Sequence, residues 1–507
     1  MPGAPLDVAL QDWVALRART HPSHVALECS GEVWDYATLE ARVASAAGAL
    51  RTEGVESGEP VAVLADNGLP IARFAHAIPR AGALFMPLNA RLSVSEIAWQ
   101  LRDSRARLLL HDASLDALAR EAATEVGVRT LAVADARWDA GAPVAAAASI
   151  EAGRAHSVIY TSGTTGRPKG ALLTHGNFHW SAVASAANLG VEADDRWLAC
   201  MPLFHVGGLS ILLRSAIYGT TAVIHERFEE ARVDRALREE RITLLSVVAA
   251  MLQRIFDVSV AVSPEAYPSA LRGVLLGGGP APRPLLEEAA RRGMPVLQTY
   301  GLTETCSQVA TLGHTDALRK LGSAGLPLPA STVRIEVDGR EAEAGEVGEI
   351  LVAGPTVCAG YLHRPEATAA AIRDGWLHTG DLGWRDSEGY LYVADRRDDL
   401  IVSGGENVYP AEVESALLEH RAIEECAVVG LPDDRWGARV AAVVVLRAGV
   451  EAPSMDALET HLRARLAGYK LPREIIVEAK PLPRTASGKL QRHLVRDRLR
   501  ARGPSGA

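Results

Sequence analysis

A glycine-rich segment with many hydroxyl groups and one lysine carries the clearest chemical signal in the sequence. It reads YTSGTTGRPKG, occupies residues 160–170 and follows the apolar, strand-like run HSVIY. Its glycines let the backbone approach an anion closely, and successive N–H groups can form an anion-binding nest. The lysine is not followed by Ser or Thr, so this is not a Walker A loop. An ordinary polar turn is the alternative, but it would not need so many donors. The candidate phosphate-binding residues are Thr161, Ser162, Gly163, Thr164, Thr165, Gly166 and Lys169.

A second segment, QTYGLTET at residues 298–305, also follows an apolar strand. The Tyr300 ring offers a stacking surface, Thr303 a hydroxyl group and Glu304 a hard oxygen ligand suited to Mg²⁺. Taken alone, the segment is equally compatible with a solvated turn between a strand and a helix.

Two shorter segments could contact a nucleoside. In LLGGGPAP, residues 275–282, glycines end a strand, and a planar base could lie against the bare backbone, although a tight turn also explains them. WLHTGDLG, residues 376–383, places Asp381 in a glycine-rich turn. A carboxylate there can accept two ribose hydroxyl groups, while an exposed turn aspartate is the plainer alternative.

Lysine is rare in this chain: only five of the 53 basic residues are lysines. A lysine set among Gly, Ser, Thr and Pro is therefore expected to serve its ammonium chemistry, and Lys169 and Lys489 have that setting. Lys489 lies in LPRTASGKLQR, residues 482–492. The run DRRDDLIVSGGENVYPAEVE, residues 395–414, combines charges, a Gly-Gly loop and a helix that begins at proline. By itself this run reads as a solvated linker.

Alternating helices and apolar strands must position these segments. Residues 1–150 show one such alternation, and residues 154–300 show a second that begins with HSVIY, which predicts βαβ units around mostly parallel sheets. Short strands and glycine turns from 321 to 394 predict a β-rich subdomain. The predicted fold class is α/β. The large N-terminal domain (1–396) would hold two βαβ-type subdomains plus the small β-rich one, and a smaller, mobile α+β domain (397–507) would follow.

Composition excludes several classes of protein. The 507 residues carry a formal charge of −9 and are 48% hydrophobic, which excludes wholesale disorder and argues against non-specific nucleic-acid binding. No apolar run reaches the ~18–20 residues of a membrane span. The N-terminal MPGAPLDVALQDW does not resemble a signal peptide, so we expect a cytoplasmic protein without membrane insertion. Five scattered cysteines without a CxxC pair predict core residues rather than a zinc site or disulfides.

The order and spacing of these segments resemble the adenylate-forming superfamily of acyl-CoA synthetases, stand-alone adenylation domains and luciferases. The loop at 160–170 resembles its phosphate loop, YGLTE its adenine and magnesium segment, and TGD its ribose contact. DRRDD resembles its hinge, and PRTASGK resembles its C-terminal loop with a catalytic lysine. The resemblance covers nearly the whole chain. It implies ATP, Mg²⁺ and CoA as cofactors and cosubstrates, with a small carboxylic acid as the substrate.

Within the superfamily, three stretches resemble the o-succinylbenzoate–CoA ligase family of menaquinone (vitamin K2) biosynthesis. They are YGLTETCSQVATL (300–312), KLGSAGLPLP (320–329) and MPLFHVGGLSILLRSAIYG (201–219). Cys306-Ser307-Gln308 is the most telling part, because fatty-acyl ligases usually continue differently there. Asp395 is a departure, since many relatives have glycine at that position.

The resemblance also implies residue roles in a first half-reaction, in which the substrate carboxylate attacks the α-phosphorus of ATP. The hydroxyls and lysine of the phosphate loop would hold the β- and γ-phosphates. Thr303 would contact the α-phosphate and Glu304 would bind Mg²⁺. Lys489 would neutralise the charge that builds between the carboxylate and the α-phosphate. The adenosine-binding residues would be Gly278, Gly279, Tyr300, Gly301, Asp381 and Arg396.

In the second half-reaction CoA thiol would expel AMP after the C-terminal domain rotates about a hinge at Asp398. The residues implied to line the pantetheine tunnel are Ser403, Gly404, Gly405, Glu406 and Asn407. His205, beside Phe204, matches a position that gates the acyl pocket, and a core histidine is the alternative. Looser candidates for a second substrate carboxylate are Ser246, Gln253, Ser307 and Arg214.

Other functions remain open at this point. A ligase for a medium- or long-chain fatty acid or an aryl acid would share the nucleotide motifs, because these never touch the acyl tail. A stand-alone adenylation domain would load a carrier protein instead of CoA, although no carrier domain occurs in these 507 residues. A nucleotide-binding regulatory module would leave Lys489 and Glu304 idle. A homo-oligomer is a family-level expectation.

Overall fold

The computed structural model describes most of the chain. The described residues are 8–161, 168–262, 266–278, 281, 283–393, 401–408, 410–447, 449–450, 452–483 and 492–502. The chain divides into two compact units. The large unit comprises Met1–Ala90, Leu101–Ile159 and Gly170–Ala394, and the small unit comprises Arg91–Gln100, Tyr160–Lys169 and Asp395–Ala507. The predicted domain boundary at residues 396 and 397 falls outside the described residues and stays a prediction.

The first part of the chain alternates helices and strands. In order, its elements are β1 (Ala9–Leu10), α1 (Trp13–Thr20), β2 (Val25–Cys29), β3 (Glu32–Asp35), α2 (Tyr36–Thr52), β4 (Pro60–Leu64), α3 (Leu69–Ala81), β5 (Leu84–Pro87), α4 (Val94–Ser104), β6 (Leu108–His111), α5 (Asp116–Thr124), β7 (Arg129–Ala132), α6 (Arg137–Ala140), β8 (Ile150–Glu151), β9 (Ala155–Thr161), β10 (Lys169–Thr174) and α7 (His175–Leu189).

The middle of the chain continues this alternation and then becomes strand-rich. Its elements are β11 (Arg196–Ala199), α8 (Val206–Tyr218), β12 (Thr221–Ile224), α9 (Glu230–Glu239), β13 (Leu244–Val248), α10 (Ala249–Val262), β14 (Gly273–Gly277), α11 (Arg283–Arg291), β15 (Val296–Tyr300), β16 (Ala310–Leu312), β17 (Ser323–Pro327), β18 (Thr332–Val337), β19 (Arg340–Glu341), β20 (Gly348–Ala353), α12 (Pro365–Ala371), β21 (Ile372–Arg373), β22 (Trp376–Arg385) and β23 (Leu391–Val393).

The small unit contains the remaining elements. They are β24 (Ile401–Ser403), β25 (Glu406–Val408), α13 (Pro410–Leu418), β26 (Ile423–Asp433), β27 (Gly437–Leu446), α14 (Met455–Arg463), β28 (Glu474–Glu478) and α15 (Arg492–Arg502). Short 3₁₀ helices occur at Ala113–Leu115, Thr303–Thr305 and Gly468–Lys470.

Three extended sheets organise the described residues. One sheet has the order β10-β9-β5-β4-β6-β7, and its described pairs from β9 to β7 are parallel. A second, 15-stranded sheet is parallel from β15 through β14, β13, β11 and β12 to β2, and turns antiparallel at β16 and beyond. The third, in the small unit, has the order β25-β24-β27-β26 with β28 beside β27. The predicted α/β class is confirmed.

The two alternating stretches of the sequence do not correspond one-to-one to the two large sheets. The run HSVIY, expected to begin the second set, forms β9 and pairs with β5 in the first sheet. Conversely, β2 lies in the second sheet, where Leu27 is paired with Ala222 of β12. Parallel neighbours are joined by crossover connections, so strands that are close in sequence need not be neighbours in a sheet.

Helices α7 and α8 flank the region that carries the candidate site. Helix α7 begins with a capping box, in which the Thr174 side chain accepts from the Asn177 backbone and the Asn177 side chain accepts from the Thr174 backbone. Helix α8 is almost wholly buried and is followed by the C-cap residue Gly219, which has a φ of 82°. A left-handed glycine is a usual helix end because it lacks a Cβ atom. Among the described residues, no helix combines the length and apolar character that a membrane span requires.

Candidate active site

Strands β14 and β15 bring two predicted adenine contacts to one edge of the second sheet. The strands are parallel neighbours, with Val274 paired to Val296. Tyr300 is the last residue of β15, and Gly278 directly follows β14 with a φ of 81°. Carboxyl ends of parallel strands open onto the same crevice, where ligands of open α/β sheets bind. The third contact, Gly279, lies outside the described residues.

The Tyr300 hydroxyl donates a hydrogen bond of 2.7 Å to Oδ2 of Asp381. The two residues come from separate motifs, and both are buried, with exposed fractions of 6% and 8%. A carboxylate has about four lone-pair positions and can therefore accept from several hydroxyl groups at once. The structure therefore brings the predicted adenine segment and the predicted ribose segment into contact.

Asp381 lies in a strand rather than in the predicted glycine-rich turn, and its burial excludes the alternative of an exposed turn aspartate. The segment is part of the ten-residue strand β22, and Asp381 is buried. The pairing of β22 with β20 shifts register here, and Gly380 has a φ of 73°. Such a bulge re-aims a side chain within a strand, which a pattern of turn residues cannot distinguish from a loop. The Asp381 N–H donates to Thr379 Oγ1 at 3.0 Å and so fixes the bulge.

Glu304 lies in the short 3₁₀ helix that follows β15. Its Oε1 accepts a hydrogen bond of 2.9 Å from the Tyr361 hydroxyl, and its backbone carbonyl accepts from the Cys358 N–H at 2.8 Å. Burial, together with the nearby Glu304, raises the pKa of the Cys358 thiol to about 12. Sequence reasoning missed Tyr361, which lies 57 residues from Glu304 in a segment without a recognisable motif.

The backbone after Glu304 turns back on itself. Cys306 and Ser307 have φ values of 53° and 94°, both in the left-handed region that non-glycine residues rarely adopt. A Cβ atom on Gly301 would lie 1.5 Å from the Ser307 carbonyl oxygen, so this close approach requires glycine. Thr303 is partly exposed at the start of this turn.

Only the two ends of the predicted phosphate loop are described. Thr161 ends β9 and Lys169 begins β10, and Thr161 Oγ1 donates to the Lys169 carbonyl oxygen at 3.4 Å. The other predicted loop residues lie outside the described residues: Ser162, Gly163, Thr164, Thr165 and Gly166. The same holds for Arg396, Asp398 and Lys489.

In the small unit, the predicted CoA segment is a tight hairpin. Ser403 of β24 pairs with Glu406 of β25, and Gly404 and Gly405 between them have φ values of 59° and 84°. Two successive left-handed residues define the type of two-residue turn that strongly favours glycine. A Cβ atom on Gly404 would lie 2.7 Å from the Trp436 ring.

The candidate acyl-pocket residues have different environments. His205 is exposed at the N-cap of α8, with its ring 4.5 Å from that of Phe204, so a core histidine is excluded. Ser246 lies buried in β13 and accepts from Trp197 Nε1 at 3.1 Å. Gln253 is exposed on α10 and donates to its neighbour Asp257. Ser307 is partly exposed in the strained turn.

The described oxygen ligands around Glu304 fit Mg²⁺ better than they fit a metal ion whose ligands all come from the protein. Among the described residues no group of three or more His, Cys, Asp and Glu side chains could enclose an ion. Mg²⁺ is characteristically bound by one or two carboxylates and completed by phosphate oxygens and water. A single glutamate next to the hydroxyl of Thr303 is consistent with that mode.

Two family models match this chain. Residues 14–362 match the model described as AMP-binding enzyme, and residues 412–489 match AMP-binding enzyme C-terminal domain. The first match covers more than half of the chain. The chain therefore belongs to the AMP-binding enzyme family.

Individual relatives are similar over nearly the full length. A 2-succinylbenzoate–CoA ligase from Bacillus cereus is 44% identical over 488 residues, which are 96% of this chain and 98% of the relative. A double mutant of o-succinylbenzoate CoA synthetase from Bacillus subtilis, bound with its product analogue OSB-NCoA, is 41% identical with a TM-score of 0.91, covering 97% of this chain and 99% of that one. The Bacillus subtilis enzyme in complex with ATP and magnesium ion is 41% identical with a TM-score of 0.74, covering 97% and 100%. The resemblance to this branch of the superfamily is confirmed.

Proposed function

We propose that this chain is an ATP-dependent acid–CoA ligase. It converts 2-succinylbenzoate, ATP and CoA into 2-succinylbenzoyl-CoA, AMP and diphosphate in menaquinone biosynthesis. The observation that carries the proposal is the hydrogen bond from Tyr300 to Asp381 at the carboxyl end of β15, with Glu304 in the next turn of the chain. An aromatic ring, a buried carboxylate acceptor and a potential magnesium ligand at one sheet edge are the groups that a nucleotide requires.

In the first half-reaction, a carboxylate oxygen of the acid bonds to the α-phosphorus of ATP. The bond from the α-phosphorus to the bridging oxygen breaks, and diphosphate leaves with the electron pair. Repulsion between anions dominates this barrier, so positioned donors and cations do most of the catalysis. Asp381 would accept the ribose hydroxyls, and Tyr300 would stack beside the adenine. Lys489 would offset the charge that develops at the reacting oxygens.

Glu304 would hold Mg²⁺, which when bound supplies charge neutralisation at the phosphates. Tyr361 donates to the Glu304 carboxylate and so fixes the orientation of one of its oxygens. Thr303 would contact the α-phosphate, and the residues of the phosphate loop from Thr161 to Lys169 would hold the β- and γ-phosphates. These roles support adenylate formation for any carboxylic acid.

In the second half-reaction, the sulfur of CoA bonds to the acyl carbonyl carbon. The bond from that carbon to the phosphate oxygen breaks, AMP leaves, and the thiol proton passes to solvent. The hairpin at Ser403, Gly404 and Gly405 would present bare backbone to the pantetheine chain, since neither glycine carries a side chain that could block it. Rotation about Asp398 would exchange Lys489 for this hairpin.

The choice of acid rests on other evidence than the nucleotide motifs. The Bacillus cereus relative named 2-succinylbenzoate–CoA ligase aligns with 96% of this chain. The segment Cys306-Ser307-Gln308 resembles that branch of the superfamily. His205, Ser246 and Ser307 would face or border the acyl group. Fatty-acid or aryl-acid ligases are the nearest competing functions, and a carrier-loading adenylation domain is the competing class.

The decisive experiment is product analysis of the purified protein with ATP, Mg²⁺ and CoA, offering 2-succinylbenzoate beside octanoate and benzoate. The expected result is AMP, diphosphate and 2-succinylbenzoyl-CoA as the dominant thioester. AMP formation with a different acid would retain the ligase chemistry and refute the substrate. Accumulation of acyl-AMP without any thioester would favour the carrier-loading adenylation domain.

A further inference from the structure

Within the described part of the chain, Arg214 is a buried cation without an anionic partner. It lies in α8 with an exposed fraction of 3%, and no carboxylate among the described residues forms an ion pair with it. Its guanidinium donates to Ser181 Oγ at 2.9 Å and lies 5.9 Å from the centre of the Trp197 ring. An uncompensated buried charge is costly, so a protein that keeps one usually uses it.

The hydroxyl of Ser181 connects this arginine to the turn after Glu304. Ser181 lies in α7 with an exposed fraction of 2%, and its Oγ donates a hydrogen bond of 2.7 Å to the Cys306 carbonyl oxygen. The serine thus accepts from a cation and donates its only hydroxyl proton to the backbone. A charged donor polarises the hydroxyl and strengthens the second bond of such a chain.

The backbone held by this chain is the strained part of the candidate site. Cys306 and Ser307 are both left-handed, which persists only where the surroundings enforce it. Gly301 packs against the Ser307 carbonyl, so a relaxed turn would also displace the residues between them. Those residues include Thr303 and Glu304, which the proposed function assigns to the α-phosphate and Mg²⁺.

We propose that Arg214 is a positioning residue that acts through Ser181 to hold the turn at Cys306 and thereby fixes Glu304 for Mg²⁺·ATP. This inference rests on the proposed nucleotide site but not on the identity of the acid. It differs from a role in contacting a second substrate carboxylate, because the Arg214–Ser181–Cys306 chain ends on the backbone of the site.

The test compares Ser181→Ala, Arg214→Met and Arg214→Lys with the wild-type protein. Ser185→Ala is the matched control, since Ser185 is also buried, one turn further along α7, and its hydroxyl has no hydrogen-bond partner among the described residues. Calorimetric titration with ATP at increasing Mg²⁺ concentration needs no acid substrate. ATP–diphosphate exchange is then measured with whichever acid the wild-type enzyme activates, and thermal unfolding of each variant is recorded.

Loss of a group that orients a metal ligand typically weakens metal affinity or activity about 10- to 100-fold. We therefore expect Ser181→Ala and Arg214→Met to raise the half-saturating Mg²⁺ concentration about tenfold, with little change in the KM for the acid. Arg214→Lys keeps the charge and one donor and should recover part of the loss. Ser185→Ala should resemble the wild-type protein.

Three results would overturn the inference. An unchanged Mg²⁺ response with a raised KM for the acid would make Arg214 a substrate ligand. A normal Ser181→Ala protein beside an unfolded Arg214→Met protein would make the arginine merely structural. Equal losses in Ser181→Ala and Ser185→Ala would remove the special role of the link to Cys306. A wild-type protein that used a different acid would refute only the proposed substrate.

Discussion

The candidate nucleotide site depends on polar side chains, whereas the candidate CoA segment depends on its backbone conformation. In the large unit, the site is a cluster of side chains in which Tyr300 donates to Asp381 and Tyr361 donates to Glu304. In the small unit, the hairpin at Gly404 and Gly405 offers backbone in a conformation that only glycine adopts easily. From this difference we expect that different substitutions will impair the two half-reactions independently. Loss of polar atoms should damage adenylation, and added bulk or rigidity should damage thioester formation.

The largest effect is expected from Lys489→Ala, which should abolish the first half-reaction alone. Removing one positioned group that stabilises developing charge typically costs about 10²–10³-fold in rate. ATP–diphosphate exchange should fall by that factor, while conversion of supplied acyl-AMP with CoA should persist. Lys480→Ala is the control, since Lys480 is an exposed lysine of the same unit. Loss of both half-reactions would instead assign Lys489 a structural role.

Asp398→Pro should produce the opposite pattern. Proline fixes φ and would prevent a hinge from absorbing the rotation that the second half-reaction requires. Thioester formation should fall on the order of 10²-fold, as for a misplaced reacting group, with diphosphate exchange retained. Asp398→Ala, which leaves φ free, should be much milder. An equal fall of both half-reactions in the proline variant would refute the hinge assignment.

Asp381→Asn should weaken ATP binding, because the ribose hydroxyls lose their charged acceptor. Hydrogen bonds to charged groups contribute about 1.5–3 kcal/mol, so the KM for ATP should rise roughly 10- to 100-fold. Tyr300→Phe removes only the hydroxyl that donates to Asp381 and should raise the KM a few-fold. A larger effect of Tyr300→Phe than of Asp381→Asn would contradict the ribose role.

Gly404→Ala tests the backbone side of the comparison. The new Cβ atom would meet the Trp436 ring at 2.7 Å and favour a different φ, so thioester formation should fall about tenfold without loss of diphosphate exchange. Gly449→Ala is a matched control, because Gly449 also has a positive φ, of 76°, but its Cβ atom would meet nothing within 4 Å. Equal effects in the two variants would mean that general backbone strain, and not the position of Gly404 in the hairpin, causes the loss.

The smallest of these effects concerns stability in acid and also distinguishes the two units. The rings of Trp13, His156 and His175 pack together in the large unit, near His76. Burial lowers the pKa of His76 and of His175 to about 4, and lowers the pKa of His156 well below its usual range. Each histidine therefore stabilises the fold fully above its unfolded pKa of about 6.5, and that contribution is lost as pH falls from 6.5 towards 4.

For His76 and for His175, this shift corresponds to about 3 kcal/mol across that window. In the small unit, His420 and His461 are partly exposed. Hydrogen exchange at about pH 5 should therefore accelerate first in peptides of the large unit. His175→Gln should flatten the pH dependence of unfolding, whereas the exposed His21→Gln should leave it unchanged. Faster exchange in the small unit would contradict the account.

Sequence patterns predicted the elements of this fold better than their arrangement. Apolar runs bounded by turn residues gave β14 and β15 and the residues at their ends, because a buried strand has a local signature. The exchange of β2 and β9 between sheets was missed, since pairing depends on crossover connections rather than on the strands themselves. The bulge at Asp381 was read as a turn, because glycine serves both.

Within the site, sequence motifs predicted the residues that would contact the ligand. They missed the residues that position these ligand-contacting side chains. Tyr300, Glu304 and Asp381 lie in recognisable segments. Tyr361 and Ser181 reach the site from distant parts of the chain, and a single tyrosine or serine in a helix or loop carries no signal of its own. Their roles depend on tertiary contacts of 2.9 and 2.7 Å. Such contacts are visible only after folding.

The most direct test of the two-step account is a single-turnover experiment on the wild-type protein. The protein is first incubated with 2-succinylbenzoate and Mg²⁺·ATP without CoA, and free ATP is then removed before CoA is added. The account predicts release of one diphosphate per active site in the first stage. CoA should then yield 2-succinylbenzoyl-CoA and AMP in equal amounts without further ATP. Diphosphate release that waits for CoA, or a thioester that forms only while ATP is present, would contradict it.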